Sequence, residues 1–463
     1  MKLISKILLL VISIILFIIP TYKVSFGIWF CFFPILYLIT KSSPKEYLIY
    51  AILFSLITTY NLYWIKDYQT KAFFEAAGIW FFYLLVILLI SKLIYEKLGN
   101  NLIFVFTPPV FYALFQHIHI NSLEPFWLNI GFVQSNSAPL IWYIGGVGIT
   151  FLILLFGSLL ASFFSQKKKW KLVLIVFLVI IVMSSLLFSS LKNYDSDEKI
   201  KVGIVQLKNR RSWKWRVEHT DLLIERYKEL TLSLRNFNPD LVVWPEYAIP
   251  ADVYNNEELK RKIALISKDL NCTLVIGSLE WGKGRNHTDN VLVFNKGKLV
   301  GKQDALVVFP TDPTDPIALE GSTKKLFRTD KGNFTVNLCY EEVTSRVVRK
   351  KTSEANYLIF MSNNQDMFSE KSKYLSSLYS KLRSAENKRF GIRSSNHGYS
   401  QLISPTGKVI IRTKEQILKG EIPLIELKRS FYSKYGNLII NLIILLYFIS
   451  LVNKVWLKKH KFS

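Results

Sequence analysis

The sequence has only three cysteines, Cys31, Cys272 and Cys339, among 463 residues. Three cysteines are too few for a disulfide framework, and no two of them have the spacing of metal ligands. The six histidines form neither a His-Glu-x-x-His motif nor a Cys-His cluster. The sequence therefore predicts a fold without structural disulfides, and we expect no metal and no cofactor.

Acidic residues are also scarce, because 34 Asp and Glu stand against 59 Lys and Arg and give a formal net charge of +25. Such a balance occurs in proteins that bind nucleic acid, but no recognition motif accompanies it here. Many of the lysines instead flank apolar runs, where lysine is expected beside anionic lipid headgroups. We therefore expect a membrane as a partner and no nucleic acid.

Half of the residues are hydrophobic, which is unusual for a soluble enzyme of this length. The apolar residues are concentrated before about residue 190, ordinary globular composition follows, and a further apolar run begins near residue 438. We predict an N-terminal transmembrane domain at 1–190, a soluble domain at 195–430 and a C-terminal transmembrane helix at 438–457.

Eight apolar runs are long enough to cross a bilayer. They occupy residues 3–21, 24–40, 47–64, 76–95, 102–118, 139–164, 171–190 and 438–457. The fifth run contains Pro108 and Pro109 and is the weakest of the set. The first run has a second interpretation as a signal peptide, but no small-residue cleavage site precedes Lys23, and cleavage would leave the later topology unchanged.

Lysines are distributed unequally between alternate loops. If the N-terminus is cytoplasmic, the loops on the inner side hold most of them, including the basic run at 167–171. The outer loops hold only Lys23, Lys66 and Lys71. This asymmetry obeys the positive-inside rule, so we expect the soluble domain to face outward.

Short β-branched runs alternate with amphipathic stretches through the soluble domain. Strands are predicted at 199–207, 240–244, 273–277, 290–294, 334–338 and 355–361, with a hairpin around 404–407. Helices are predicted at 213–237, 256–270 and 371–389. This order predicts an α/β or α+β fold in which helices pack against sheet.

Three reactive residues lie where predicted strands end. Glu246 follows an apolar strand and a proline, Lys302 follows a predicted hairpin, and Cys339 follows the strand at 334–338. Taken singly, each is more often structural: a turn carboxylate, a solvated lysine and a buried inert thiol. Together they supply a base, an oxyanion donor and a nucleophile for acyl transfer through a thioester.

These residues resemble the Glu-Lys-Cys triad of the nitrilase superfamily, in the same order along the chain. The segments that carry the resemblance are Trp-Pro-Glu-Tyr-Ala-Ile-Pro at 244–250 and Leu-Cys-Tyr-Glu at 338–341, with further matches at 362–364, 383–386, 393–398 and 404–407. With seven predicted spans before the soluble domain and one after it, the chain as a whole is similar to the apolipoprotein N-acyltransferase family.

The resemblance implies a fold and a reaction. The fold would be a multi-pass α-helical membrane domain plus an α/β nitrilase-like domain, which is an α-β-β-α sandwich. The acyl donor would be a phospholipid, typically phosphatidylethanolamine, and the acceptor would be the amine of diacylglyceryl-cysteine in a bacterial apolipoprotein. We expect a monomer in the bacterial cytoplasmic (inner) membrane, with the catalytic domain on the periplasmic side.

The resemblance also implies roles for the matched residues. Glu246 would be the general base, Lys302 the oxyanion stabiliser and Cys339 the nucleophile. The residues implied to support them are Tyr340 and Glu341 beside the thiolate, with Trp127 and Trp215 at tryptophan positions of the family. A second glutamate that the family carries after its lysine is missing here, and Asp312 is the better chemical substitute of the two neighbours Thr311 and Asp312.

Two other functions stay open. A membrane-tethered amidase of the same fold would release its acyl group to water instead of to an amine. A non-catalytic nitrilase-like scaffold would bind lipid or lipoprotein without turnover. The presence of Glu246, Lys302 and Cys339 argues against a scaffold, whereas the altered loop after Phe309 keeps it open.

Overall fold

The structure is a computed structural model. It describes residues 1–18, 25–67, 69–120, 130–131, 140–166, 170–171, 173–175, 177–178, 194–208, 217–283, 286–308, 320–321, 325–365, 367 and 369–460. The chain divides into two compact units. One unit comprises Met1–Ser190 and Tyr435–Ser463, and the other comprises Leu191–Lys434.

The helices and strands of the described residues are numbered in chain order. Helices α1 to α12 are Leu3–Ile18, Phe33–Lys41, Pro44–Thr58, Thr70–Leu98, Leu102–Ile120, Leu140–Ser165, Thr220–Leu232, Glu257–Asp269, Ser345–Lys351, Glu370–Asn387, Phe431–Tyr435 and Leu438–His460. Strands β1 to β12 are Lys199–Val205, Leu241–Val243, Thr273–Trp281, His287–Asn295, Lys298–Asp304, Phe327–Thr329, Gly332–Leu338, Tyr357–Asn363, Phe390–Asn396, Ser400–Ile403, Val409–Thr413 and Ile417–Pro423.

The first unit is helical, and its helices fall in the predicted apolar runs. Four described segments are long and apolar enough to cross a membrane: Pro44–Lys66, Thr70–Leu98, Leu140–Ser165 and Leu438–Lys458. Three shorter apolar helices are Leu3–Ile18, Gly27–Lys41 and Leu102–His117. The predicted run at 171–190 lies largely outside the described residues.

Local sequence explains where several of these helices begin and pack. The Ser43 hydroxyl accepts from the Glu46 N–H at 3.3 Å, while the Glu46 carboxylate accepts from the Ser43 N–H at 3.0 Å, a capping box that begins α3. Helix α5 continues through Pro108. The hydroxyls of Thr107 and Tyr447 lie 2.8 Å apart and join α5 to α12, which satisfies two polar groups among apolar helices.

The second unit contains two six-stranded sheets. Their strand orders are β12-β1-β2-β3-β4-β5 and β11-β10-β9-β8-β7-β6. An apolar core that both sheets supply fills the space between them. A second core, called the outer core, lies between the outer face of the first sheet and helices α7 and α8. Helices α9 and α10 pack on the second sheet. The predicted combination of a helical membrane domain and an α-β-β-α sandwich is confirmed.

Parallel pairing at the centre of each sheet determines where a site can form. In the first sheet β1, β2 and β3 are parallel, and in the second sheet β7, β8 and β9 are parallel. Parallel strands end at one edge of their sheet, so residues that follow β2, β7 and β8 emerge together. Strand β2 is apolar on both faces because one face meets the other sheet and one meets helices.

The observed elements differ from the predicted ones mainly at their ends and at the second sheet. Within the helix predicted at 213–237, the described residues form α7 over Thr220–Leu232 and 3-10 turns at Val217–His219 and Arg235–Phe237, while residues 213–216 lie outside the described part of the chain. Strands β9 and β12 were not predicted from the sequence. Strand β9 is buried along its whole length, including four polar residues, so its sequence does not alternate and gives no clear strand signal.

Candidate active site

Glu246 lies in the turn that follows β2, at the edge where the parallel strands end. Trp244 fixes this turn, because its indole N–H donates to the Thr231 hydroxyl at 3.0 Å within the outer core. The Glu246 carboxylate is only 3% exposed and accepts a hydrogen bond from the backbone N–H of Asn363 at 2.6 Å. Asn363 ends β8 of the other sheet, so Glu246 points into the space between the sheets.

Gly277 on β3 makes room for that turn. A Cβ at this position would lie 2.4 Å from the Pro245 carbonyl oxygen, 2.7 Å from the Glu246 Cα and 2.9 Å from the Tyr247 nitrogen. All three are backbone atoms and cannot rotate away. Tyr247 itself has a positive φ of 50°, which is uncommon for a residue with a side chain. Close backbone packing therefore places Glu246.

Cys339 follows β7 and begins the 3-10 turn Cys339–Glu342. Its φ of 44° is in the left-handed region, and such a conformation costs about 1–3 kcal/mol in a non-glycine residue. The Glu246 carboxylate accepts a hydrogen bond from its thiol. Burial raises the pKa of the thiol well above its usual range, and the negative charges of Glu246, Asp289 and Glu342 raise it further. The resting site thus holds a protonated thiol beside a carboxylate base.

Glu341 holds the turn that carries the thiol. Its carboxylate is fully buried and accepts hydrogen bonds from the N–H of Leu306 at 2.7 Å and from the N–H of Leu338 at 2.8 Å. The ammonium of Lys351, which is also fully buried as a side chain, pairs with the same carboxylate. Glu341 therefore ties the end of β7 to the segment after β5 and keeps Cys339 at the edge of the sheet.

Tyr340 and Glu342 complete the turn. Tyr340 is 7% exposed, and Glu342 has a fixed partner. Both oxygens of Glu342 accept from the buried Arg393, at 3.1 Å from Nε and 3.0 Å from Nη2. This bidentate pair compensates the charge of the Glu342 carboxylate.

The structure does not bring Lys302 to the thiol and the base, contrary to the expectation from the sequence. Lys302 is opposite Leu292 in the β4–β5 ladder, and Leu292 belongs to the outer core, so both side chains lie on the outer face of the sheet. Its ammonium pairs with Glu280 and lies 3.3 Å from Asp304 Oδ1 and 4.9 Å from the Tyr254 ring centre. The alternation of β5 is the physical reason for the difference.

Two uncharged residues after Lys302, one in β5 and one just beyond its end, face the interior of the sandwich. The Gln303 amide donates to the Val336 carbonyl at 2.7 Å, across the space between the sheets. Ala305 is 3% exposed and belongs to the core between the sheets. The end of β5 therefore presents an amide and a methyl group toward the interior.

Sequence reasoning gave no role to three residues that lie beside the base. His287 Nε2 is 3.2 Å from Asp289 Oδ1 and 3.4 Å from the Tyr247 hydroxyl. The imidazole also packs against the Trp281 ring at 5.6 Å between centroids. The sequence held two signals for these residues. Tyr247 is next to Glu246, and the spacing of His287 and Asp289 places both on one face of a strand.

Three predicted supporting residues lie outside the part of the chain that the structure describes. They are Trp127, Trp215 and Asp312.

Comparison with known proteins agrees with the architecture in both units. Residues 201–429 match the family model described as carbon-nitrogen hydrolase, and residues 13–159 match the model of the apolipoprotein N-acyltransferase N-terminal domain. The chain belongs to the apolipoprotein N-acyltransferase family. One model matches the unit with the two sheets, and the other matches the apolar helical unit.

Relatives in the family are distant in sequence. An apolipoprotein N-acyltransferase of Rickettsia bellii is 24% identical over 72% of each chain. One from Geobacter metallireducens is 23% identical over 67% of this chain and 66% of the relative. One from Nostoc is 25% identical over 46% of each chain. The chain thus spans between about half and about three quarters of the length of these relatives.

Solved structures similar to this chain cover its nitrilase-like half. Nit3 of Saccharomyces cerevisiae is 19% identical, with a TM-score of 0.42, and the match covers 49% of this chain and 90% of that one. An amidase from Nesterenkonia is 11% identical, with a TM-score of 0.43, and covers 51% of this chain and 92% of its own.

Proposed function

We propose that the protein transfers an acyl chain from a phospholipid, through a thioester on Cys339, to the N-terminal amine of a diacylated apolipoprotein. One observation carries the proposal: the carboxylate of Glu246 accepts a hydrogen bond from a thiol on a strained turn, between two sheets of the nitrilase fold. Family membership and apolar helices of membrane-spanning length support lipids as the substrates.

In the first half-reaction Glu246 takes the thiol proton while the sulfur attacks the ester carbonyl of the phospholipid. A C–S bond forms, and the C–O bond to glycerol breaks. The protonated Glu246 then gives its proton to the leaving lysophospholipid oxygen. Because burial holds the thiol protonated at rest, proton removal must accompany attack.

The negative charge that develops on the carbonyl oxygen needs hydrogen-bond donors. We assign this role to the first backbone N–H groups of the turn Cys339–Glu342, since they follow the nucleophile directly. Lys302 has no part in this mechanism, because its ammonium lies on the outer face of the sheet.

In the second half-reaction the neutral acceptor amine attacks the thioester. A C–N bond forms, the C–S bond breaks, and Glu246 returns one proton from the amine to the thiolate. The products are a triacylated lipoprotein and the free thiol. An amidase of the same fold differs only at this step, where water would replace the amine.

The decisive experiment separates the two half-reactions. The purified full-length protein in detergent is incubated with phosphatidylethanolamine, and its intact mass is measured before and after a diacylated lipopeptide is added. We expect an acyl adduct that Cys339→Ser loses and that passes to the lipopeptide amine. Cys272→Ala, which alters a buried thiol of the outer core, is the matched control and should keep the adduct.

Each remaining result assigns a different function. Release of the acyl group to water in the presence of lipopeptide would identify an amidase. Absence of any adduct with phosphatidylethanolamine and with other phospholipids would favour a scaffold. An adduct that persists in Cys339→Ser would refute the proposed nucleophile.

We also propose that residues 1–190 and 438–457 form the membrane domain, that residues 195–430 face the periplasm, and that the protein is a monomer in the inner membrane. Labelling in intact cells tests the orientation. Two exposed residues are replaced singly by cysteine in a cysteine-free background. They are Glu354, whose side chain is 64% exposed, and Lys97, which is exposed on α4. Glu354→Cys should react with an impermeant maleimide before lysis, and Lys97→Cys only after it.

A further inference from the structure

Strand β4 begins with two ionisable residues that face the interior of the sandwich. His287 and Asp289 are 4% and 6% exposed. They share the inner face of the strand with Val291, which lies in the core between the sheets. Asp289 is opposite Leu279 on β3, two residues beyond the glycine against which the Glu246 turn packs. The pair therefore lies at the same sheet edge as the proposed base.

Contacts tie this pair to the catalytic pocket. His287 Nε2 lies 3.2 Å from Asp289 Oδ1 and 3.4 Å from the hydroxyl of Tyr247, the residue next to Glu246. Burial raises the pKa of Tyr247 well above its usual range, and the charges of Asp289, Glu246 and Cys339 add to this. Asp289 also raises the pKa of the Cys339 thiol. Its carboxylate is thus close enough to act on the nucleophile.

When the acceptor arrives as an ammonium, the proposed second half-reaction leaves one proton without an acceptor. An α-amine has a pKa of about 8, so near neutral pH the acceptor arrives mainly as an ammonium. Amide formation from an ammonium and a thioester yields an amide, a thiol and one surplus proton. Glu246 returns only one proton to sulfur, so a second group must remove the other before attack.

We propose that His287, paired with Asp289, removes the surplus proton from the ammonium of the acceptor. This inference rests on the proposed function. The imidazole becomes an imidazolium, whose positive charge the Asp289 carboxylate compensates at 3.2 Å. The neutral amine then attacks the thioester, and the imidazolium releases its proton to water. Trp281, which packs against the imidazole, is 44% exposed and places this exchange near solvent.

The groups that face His287 in the described structure carry the charges that a base for an ammonium needs. Asp289 neighbours it on β4, Tyr247 on the turn after β2, and the Trp281 ring on β3. The charges of Glu246 and Cys339 act on the Tyr247 hydroxyl and raise its pKa. Two carboxylates in this set attract an ammonium, and imidazole is the side chain that exchanges protons near neutral pH.

The test measures the two half-reactions separately in the full-length protein. For His287→Gln we expect acylation of Cys339 by phosphatidylethanolamine within about threefold of wild type, while transfer to the lipopeptide amine falls about 10- to 100-fold near neutral pH. About one pH unit above the pKa of the amine, where the acceptor is already neutral, the deficit should shrink to a few-fold. His219→Gln, which changes a partly exposed histidine beside Glu218, is the matched control.

A second acceptor removes the dependence on pH. Hydroxylamine is neutral near neutral pH and brings no surplus proton, so acyl-Cys339 of His287→Gln should react with it as fast as wild type does. Asp289→Asn should reproduce the pattern of His287→Gln in weaker form. This variant serves as the test if His287→Gln does not fold.

Three outcomes would overturn the inference. One is unchanged transfer to the lipopeptide in both variants. Another is a loss of acylation equal to the loss of transfer, which would make the pair a structural support of Tyr247. The third is a deficit that persists at high pH and with hydroxylamine. Absence of acyl-Cys339 in the wild type would instead refute the proposed function, and the inference with it.

Discussion

The carboxylate of Glu246 accepts a hydrogen bond from the backbone N–H of Asn363 at 2.6 Å, across the space between two sheets. The carboxylate, which follows β2 of the first sheet, thereby contacts the ends of two neighbouring strands of the second sheet, since it also accepts from the Cys339 thiol after β7. The base and the nucleophile come from different sheets, and only close packing of the sheets holds them together.

Glu246→Gln should change thiol reactivity and catalysis in opposite directions. Burial is the largest cause of the raised pKa of Cys339, and the charge of Glu246 is the next. Removing that charge lowers the thiol pKa, so alkylation by iodoacetamide at a fixed pH should become several-fold faster. Acyl transfer should fall by about 100-fold or more, because the base is lost. Slower alkylation in the variant would contradict the role of the charge.

The pH dependence of alkylation follows from the same raised pKa. A thiol reacts as the thiolate, and the pKa of an unperturbed cysteine is taken as 9.0. Because the pKa of Cys339 is raised, the wild-type rate should still increase with pH beyond 9.0. The measurement uses a background in which Cys31 and Cys272 are alanine. A plateau near neutral pH would show a stabilised thiolate instead.

Gly277→Ala should lower acyl transfer by about 100-fold in a folded protein. The new Cβ would lie 2.4 Å from the Pro245 carbonyl oxygen and 2.7 Å from the Glu246 Cα, so the turn must move. A misplacement of about 1 Å costs about 100-fold in rate. Gly282→Ala is the control, since its nearest neighbour would be at 3.5 Å. Equal activity of both variants would show that the turn tolerates the shift.

Lys302→Met should retain acylation of Cys339 within about threefold of wild type, as for substitutions away from a reacting group. The ammonium pairs with Glu280 and approaches Asp304 on the outer face of the sheet, remote from the thiol. Rates of acyl-adduct formation measure the effect. A loss of about 100-fold would restore the sequence-based role of oxyanion stabiliser to this lysine.

Lys351→Met should destabilise the protein more than it changes the chemistry. It leaves the buried Glu341 carboxylate without its ammonium partner, and breaking a buried ion pair on one side costs about 3–5 kcal/mol. Thermal unfolding in detergent should show a midpoint lower by about 10 °C. Lys350→Met, one residue away on α9, is the control. An unchanged midpoint would mean that Glu341 needs only its two N–H donors.

Much of the molecule was predictable because the physical signal is local. Apolar runs, the strand before Glu246 and the strand before Cys339 each have their own pattern, and the order of elements predicted helices packed against sheet. The sandwich itself was implied by the resemblance to the nitrilase superfamily. Strand β9 was not predicted, because buried serines, an arginine and an asparagine interrupt its apolar pattern. The partners of these polar residues come from elsewhere in the chain. No role was predicted for Asp289 and His287, because neither belongs to a motif. Only the β3–β4 register places them near Glu246.

The sequence by itself determined which residue types stand at the strand ends, and with them a thiol and a carboxylate suited to acyl transfer. Tertiary structure decided which side of each sheet those groups occupy. A one-residue change in alternation moves a side chain to the opposite face, so Lys302 lies outside and Gln303 inside. Strand pairing sets that phase through contacts distant in sequence, and the lysine therefore could not be assigned from its neighbours alone.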